Sequence, residues 1–192
     1  MNRKKLYLAT LLPLLCTACI QVNLPENRHP AQTVQYSLAL PADFAPLTVP
    51  VAVSEFSSNS PAKFRMLSRK GTELKQDPFA KWVQTPSHLL TSAFRDLYGC
   101  DDGGYETAAY LLEGDIYTFE WNQENNTADL KVLYRLIDRK TNDIVFTKLQ
   151  NTAIPLKGNS ASDFAAAMSD AVVKQASELK GSIQNLKNDS NH

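Results

Sequence analysis

Few side chains in this chain are of types and at spacings that do chemistry. Glu113-Gly114-Asp115 places two carboxylates two residues apart, on one side of a strand, which is the minimum arrangement for acid–base work. No histidine lies near them in sequence: the three are His29, His88 and His192, with no metal-ligand spacing and no Cys/His cluster. His88 falls on a helical stretch and reads as a surface or edge residue. Asp101-Asp102-Gly103-Gly104-Tyr105-Glu106 supplies oxygen ligands without the calcium-loop pattern. Its Gly103-Gly104 lacks the strand–helix setting and the further glycines of a phosphate loop. It reads as a solvated turn. Cys100 is flanked by Asp101 and Asp102, which raise a thiol pKa and so disfavour a reactive thiolate. Asn125-Asn126-Thr127 matches a glycosylation triplet by pattern alone. With no nucleophile–histidine pairing, the chain reads as a non-enzyme with no resident cofactor or metal.

The one cysteine with a chemical setting is Cys19. Arg3, Lys4 and Lys5 precede an apolar run from Leu6 to Leu15, and Leu15-Cys16-Thr17-Ala18-Cys19 follows. Cations, a short apolar centre and small residues make a secretion signal. About ten apolar residues are too few for the ~20 of a membrane-spanning helix. The segment resembles the bacterial lipobox, with Cys16 where leucine is usual. It makes residues 1–18 a leader and Cys19 the acylated first residue of the mature chain. Each buried CH₂ contributes roughly 0.8 kcal/mol, and stable anchoring takes more than one acyl chain. Ile20 stands where some envelopes read Asp as a retention signal, so the resemblance implies sorting to the outer membrane.

Losing Arg3, Lys4 and Lys5 takes the 20 cations to 17 against 20 anions, a balance near −3. Nothing basic marks a nucleic-acid surface. With Cys19 acylated, Cys100 has no disulfide partner within the chain. An apolar content of 43% supports a core in one domain.

The elements that position these residues follow from periodicity. Residues 19–33 are the lipidated cysteine and a polar tether; its fourteen residues from Ile20 reach at most about 45–50 Å. Strands are expected at Val34–Leu40 and Leu47–Phe56, the second with Pro50 at a sheet edge or bulge. Ser57–Pro61 reads as a turn, with Phe64–Arg69 pairing back across it, and Lys70–Gln84 as irregular. A helix starts at Thr85-Pro86, carries Leu89, Leu90, Ala93, Phe94 and Leu97 on one face, and stops at Gly99. Ala109–Trp121, Asp129–Asp138 and Ile144–Pro155 form an antiparallel meander. A last helix follows Ser160-Ala161-Ser162, with Phe164, Met168, Ala171, Val172, Gln175 and Leu179 on one face. The whole is an α+β domain over 34–183: a mostly antiparallel sheet covered on one face by two amphipathic helices. Residues 184–192 read as a frayed tail.

The order of these features resembles the ABC-type transport auxiliary lipoproteins across Tyr36 to Leu179. The resemblance rests on Tyr36-Ser37-Leu38-Ala39-Leu40-Pro41, on the strands Leu47–Val53 and Phe64–Ser68, and on Trp82-Val83-Gln84-Thr85-Pro86-Ser87-His88-Leu89-Leu90. It continues through Leu112-Glu113-Gly114-Asp115-Ile116-Tyr117-Thr118-Phe119-Glu120, a long hairpin and an alanine-rich closing helix. It implies a non-enzymatic, outer-membrane-anchored component of an intermembrane lipid transport system. The implied partners are a mammalian-cell-entry protein and inner-membrane transporter components. It also implies a homo-oligomer, with the edge around Pro50 as a candidate contact. Trp82, Pro86 and Trp121 are the candidate partner contacts. A competing reading is an outer-membrane lipoprotein that activates a cell-wall synthase; a fourteen-residue tether is short for reaching through peptidoglycan.

Overall fold

The computed structural model describes residues 32–61, 63–100 and 104–189. The leader, Cys19, most of the tether, Asp101–Gly103 and the last three residues lie outside them.

The meander forms as its alternation dictates. Strands β6 (Tyr110–Asn122), β7 (Thr127–Asp138) and β8 (Ile144–Pro155) pair antiparallel. Asn126 and Asn142 take the left-handed conformation (φ 50° and 62°) in the two turns, which asparagine tolerates better than most residues. Along β7, Leu130, Val132, Tyr134 and Leu136 are fully buried, and the residues between them are half-buried on the opposite face.

Helices α1 (Pro86–Tyr98) and α3 (Ala161–Asp189) cover the dry face. Thr85 caps α1 by accepting from the His88 N–H, and Pro86 occupies the first turn, where no N–H is needed. Gly99 ends it with φ 67°; its N–H bonds Asp96 O, and Cys100 N–H bonds Arg95 O at 2.9 Å. That pair of bonds is a Schellman stop. Ser160 and Asp163 bond each other's backbone N–H at 3.1 Å, a capping box for α3. Both helices meet the same row of the sheet. Phe94 of α1 lies 5.4 Å from Tyr134, and the Tyr98 hydroxyl reaches Ala176 O of α3. The fold is α+β, with a mixed, mostly antiparallel eight-stranded sheet and α3 packed on it. A short helix, α2 (Gly104–Thr107), precedes β6.

The first third of the chain departs from expectation. Val34–Leu40 contributes only β1 (Val34–Tyr36), and Leu47–Phe56 only β2 (Val51–Val53). The Ser57–Pro61 turn contains a two-residue strand, β3 (Ser57–Ser58). β4 (Arg65–Lys70) does not pair back across that turn. Instead β2, β3 and β4 lie in succession along the same edge of β6, all parallel to it. They act as one long strand with two interruptions, the first of which turns Phe56 into the core. Parallel pairing between pieces some 60 residues apart in sequence leaves no local turn signal. β5 (Glu73–Trp82) fills the stretch expected to be irregular, between β4 and β1. Its pairing with β4 jumps from Arg65↔Lys81 to Leu67↔Gln76, a bulge that absorbs Pro78. Pro78 and the exposed, charged first half of β5 hide its alternation. At the other end α3 continues through Asp189, where a frayed tail was expected from 184: the sequence there offers neither Gly nor Pro as a stop.

Two points hold this arrangement. Gly114 of β6 lies under the Phe56 ring, and a Cβ there would come within 2.9 Å of it. Gln175 of α3 is fully buried; its Oε1 accepts from Tyr134 OH at 2.8 Å, and its Nε2 donates to Leu130 O and Thr152 Oγ1. Gly114→Ala will destabilise the domain by about 1–3 kcal/mol through overpacking. Urea unfolding of the double variant with Phe56→Leu will show partial recovery. Gln175→Leu will cost about 1–3 kcal/mol by stranding the Tyr134 hydroxyl, and adding Tyr134→Phe will restore part of it. Additive losses in that second cycle would show that the two groups are not coupled.

Candidate functional site

The side chains singled out by type do not converge. Glu113 and Asp115 point to the open face of the sheet, where Arg135 of β7 lies between them, with Nη2 2.7 Å from Asp115 and Nε 3.5 Å from Glu113. Ser57 Oγ donates to Asp115 at 2.5 Å. The Ser57 hydroxyl, and with it Arg135, holds the Asp115 carboxyl below the usual carboxylate range. A carboxylate kept ionised by a guanidinium makes a cross-strand ion pair and is a poor proton donor at neutral pH. His88 Nε2 lies 2.9 Å from Glu55 at the exposed surface, on α1 rather than beside the carboxylate pair. The Cys100 thiol, half-buried, donates to Val51 O. Among the described residues no group of three or more His, Cys, Asp and Glu side chains could hold a metal ion. Arg69 and Glu120, a pair not anticipated from sequence, form a two-point ion pair between β4 and β6, with Arg69 Nη2 3.0 Å from Glu120 Oε2. The parallel register of those strands brings them together.

Of the three candidate contact residues, two are interior. Trp82 is 1% exposed and is edge-on to Phe119 (5.2 Å) and Phe164 (5.6 Å), tying β5 to β6 and α3. Pro86 is buried at the start of α1. Neither offers surface to a partner: the stretch expected to be irregular is strand β5, which turns Trp82 into the core. Trp121 is half-buried. Its Nε1 donates to Asn126 Oδ1 at 3.0 Å, and its ring stacks on Phe164 at 6.3 Å and 21°. It lines a cleft of about 180 Å³ between the β4–β5 hairpin and the first turn of α3, with Met66, Leu67, Phe164, Lys75 and Asp77 on its walls.

The open face carries a second surface. Leu149 of β8 is 52% exposed and lies in the same cross-strand row as Leu133 and Asp115. Tyr117, at a bulge in β6, is 61% exposed. A bulge re-aims the side chain it carries, and sequence alternation gave no sign of it. No described helix is long and apolar enough to cross a membrane.

No protein-family model and no curated protein matches the sequence. A PelC dodecamer from Paraburkholderia phytofirmans is 16% identical over 68% of this chain and 87% of its own, with a TM-score of 0.41, too slight a likeness to bear on the fold. A crystal structure of an uncharacterized protein aligns with a TM-score of 0.64 and 7% identity, covering 79% of this chain and 99% of that one. A crystal structure of a Xanthomonas campestris protein of the family DUF330 aligns with a TM-score of 0.69 and 20% identity, covering 83% of this chain and all of that one. At these identities the likeness is one of fold: the domain has the α+β architecture of the DUF330 structure along that structure's full length.

Proposed function

We propose that this chain is a non-enzymatic lipoprotein, anchored in the outer membrane through Cys19. In this reading it serves an ABC/mammalian-cell-entry lipid transport system by docking the component that spans the periplasm. The observation that carries the reading is the order of sequence features: a lipobox ending at Cys19, a polar tether, and then the Trp82–Leu90 and Leu112–Glu120 segments of the auxiliary-lipoprotein pattern. The α+β fold agrees with the one expected from the periodicity of the same segments. The absence of convergence between His88, Cys100 and the Glu113/Asp115 pair supports a binding role over catalysis.

For the docking contact the reading favours Trp121, the one candidate aromatic that reaches a surface cleft. Large aromatics at the centre of interfaces contribute the most when truncated.

Replacing Cys19 by Ala will move the protein from the outer-membrane fraction to soluble periplasm or leave it as an unprocessed precursor. Mature-length protein pelleting with outer membranes as before would refute lipid anchoring. Cross-linking in intact envelopes followed by purification will recover a mammalian-cell-entry protein. Trp121→Ala will cut that recovery by at least about ten-fold, as expected for the loss of a contact worth ~1.4 kcal/mol or more. Thermal unfolding of the same variant separates a lost contact from a lost fold. Repeated recovery of no such protein at normal expression would overturn the assignment.

A further inference from the structure

The bulge in β5 is held by several side-chain bonds, and it displays an exposed phenylalanine. The Asp77 carboxylate accepts from Phe79 N–H (2.7 Å) and Ala80 N–H (2.8 Å). The Arg65 guanidinium donates to the carbonyls of Asp77 and Pro78. Ala80 and Trp82 turn into the core, while Phe79 remains 54% exposed and Val83 43% exposed. Phe64 is joined to this corner by the bond from Trp82 N–H to its carbonyl and is 46% exposed; Val34, paired with Ala80, is 49% exposed. By register, Phe64 and Val34 share the face of Trp82 and Ala80, and Phe79 falls on the other, so these exposed apolar side chains stand on both faces of the sheet at its β1–β5 edge. Interleaved with them in sequence are Lys63, Arg65 and Lys81, together with Asp77, whose Oδ1 is engaged with backbone N–H groups.

This corner is also where the chain enters the domain. Val34 begins β1 and sits beside Ala80, and the tether from Ile20 to Thr33 leads directly to it. With Cys19 held by lipid, fourteen residues allow at most about 45–50 Å between the anchor and this corner. The shortness of that link keeps the corner at high effective concentration beside the lipid surface. Apolar and aromatic tips among Lys and Arg are what an interfacial contact with anionic lipid requires: ring and aliphatic groups enter the headgroup boundary while cations pair with phosphates.

We infer that the Phe64/Phe79/Val83 corner is a second, protein-encoded membrane contact, which rests the domain on an anionic phospholipid surface. It rests on the lipid anchor at Cys19 proposed above. The acyl chains set where the protein is; this corner sets which way the domain faces, with the β8 edge directed away from the bilayer.

The test uses the full lipidated protein in vesicles of phosphatidylethanolamine and phosphatidylglycerol with brominated acyl chains. Phe79→Trp is compared with Leu149→Trp, on the opposite edge strand, over the common background of Trp82 and Trp121. The new indole at 79 will be quenched at least about two-fold more than that at 149, since interfacial side chains sit about 5–10 Å into the headgroup boundary. Exchanging phosphatidylglycerol for phosphatidylcholine will weaken that quenching. Equal quenching in phosphatidylcholine overturns the assignment to anionic lipid. Protein that floats with the vesicles yet shows no excess quenching at 79 overturns the contact and leaves the anchor standing; the corner would then belong to a protein partner or a second copy. Protein that does not float with the vesicles removes the anchor and this contact together.

Discussion

The hydrogen bond between the Tyr134 hydroxyl and Gln175 is the interaction on which the rest of the structure turns. Both groups are fully buried, and burial pushes the Tyr134 phenol well above its ordinary pKa, so it stays a neutral donor. A buried donor with no partner is costly, so α3 must seat with Gln175 over β7 and nowhere else along its apolar stripe. The stripe alone leaves several axial positions of α3 nearly equivalent, because it is rich in small residues such as Ala165, Ala167, Ala171 and Ala176. Gln175 breaks that degeneracy. It binds Leu130 O and Thr152 Oγ1 at once and so spans β7 and β8. Once α3 is seated, Phe164 reaches Trp82 and Trp121, and the two ends of the core close together.

The residues that carry the family resemblance have structural roles. Tyr36 pairs with Trp82 across β1 and β5. Trp82 fills the space between Phe119 and Phe164, Gly114 admits Phe56, and Glu120 ties β6 to β4 through Arg69. Such a pattern specifies how the interior packs rather than what the surface binds. Phe79 and Trp121 lie outside the segments that carry the resemblance, whereas Tyr117 lies within one and faces solvent.

The meander, α1 and the buried face of α3 were legible in the sequence because each is a local signal: alternation, a 3.6-residue stripe, Thr85-Pro86, Gly99. The pairing of the first third was not. β2 and β4 fall within stretches that read as strands, but their partner β6 follows them by about 60 residues, and β3 is too short to announce itself. β5 carries Pro78 and exposed charge, both against a strand, and the bulge around Asp77 reconciles them with the sheet. The candidate site divides in the same way. Cys19 is read from local spacing and lies outside the described residues. The burial of Trp82 and the ion pair of Arg135 with Glu113 and Asp115 depend on register, which only tertiary structure supplies.

The order in which the elements occur along the chain has a kinetic consequence. The dry face of the meander is covered chiefly by α3, which is the final element in sequence, and β6 must find β2 and β3 after α1 has intervened. Non-local pairing of this kind is slow to form. A polypeptide delivered N-terminus first therefore cannot complete this core until α3 has arrived. Until then the Leu130–Leu136 row is bare. Until α3 seats, that apolar row is open to aggregation.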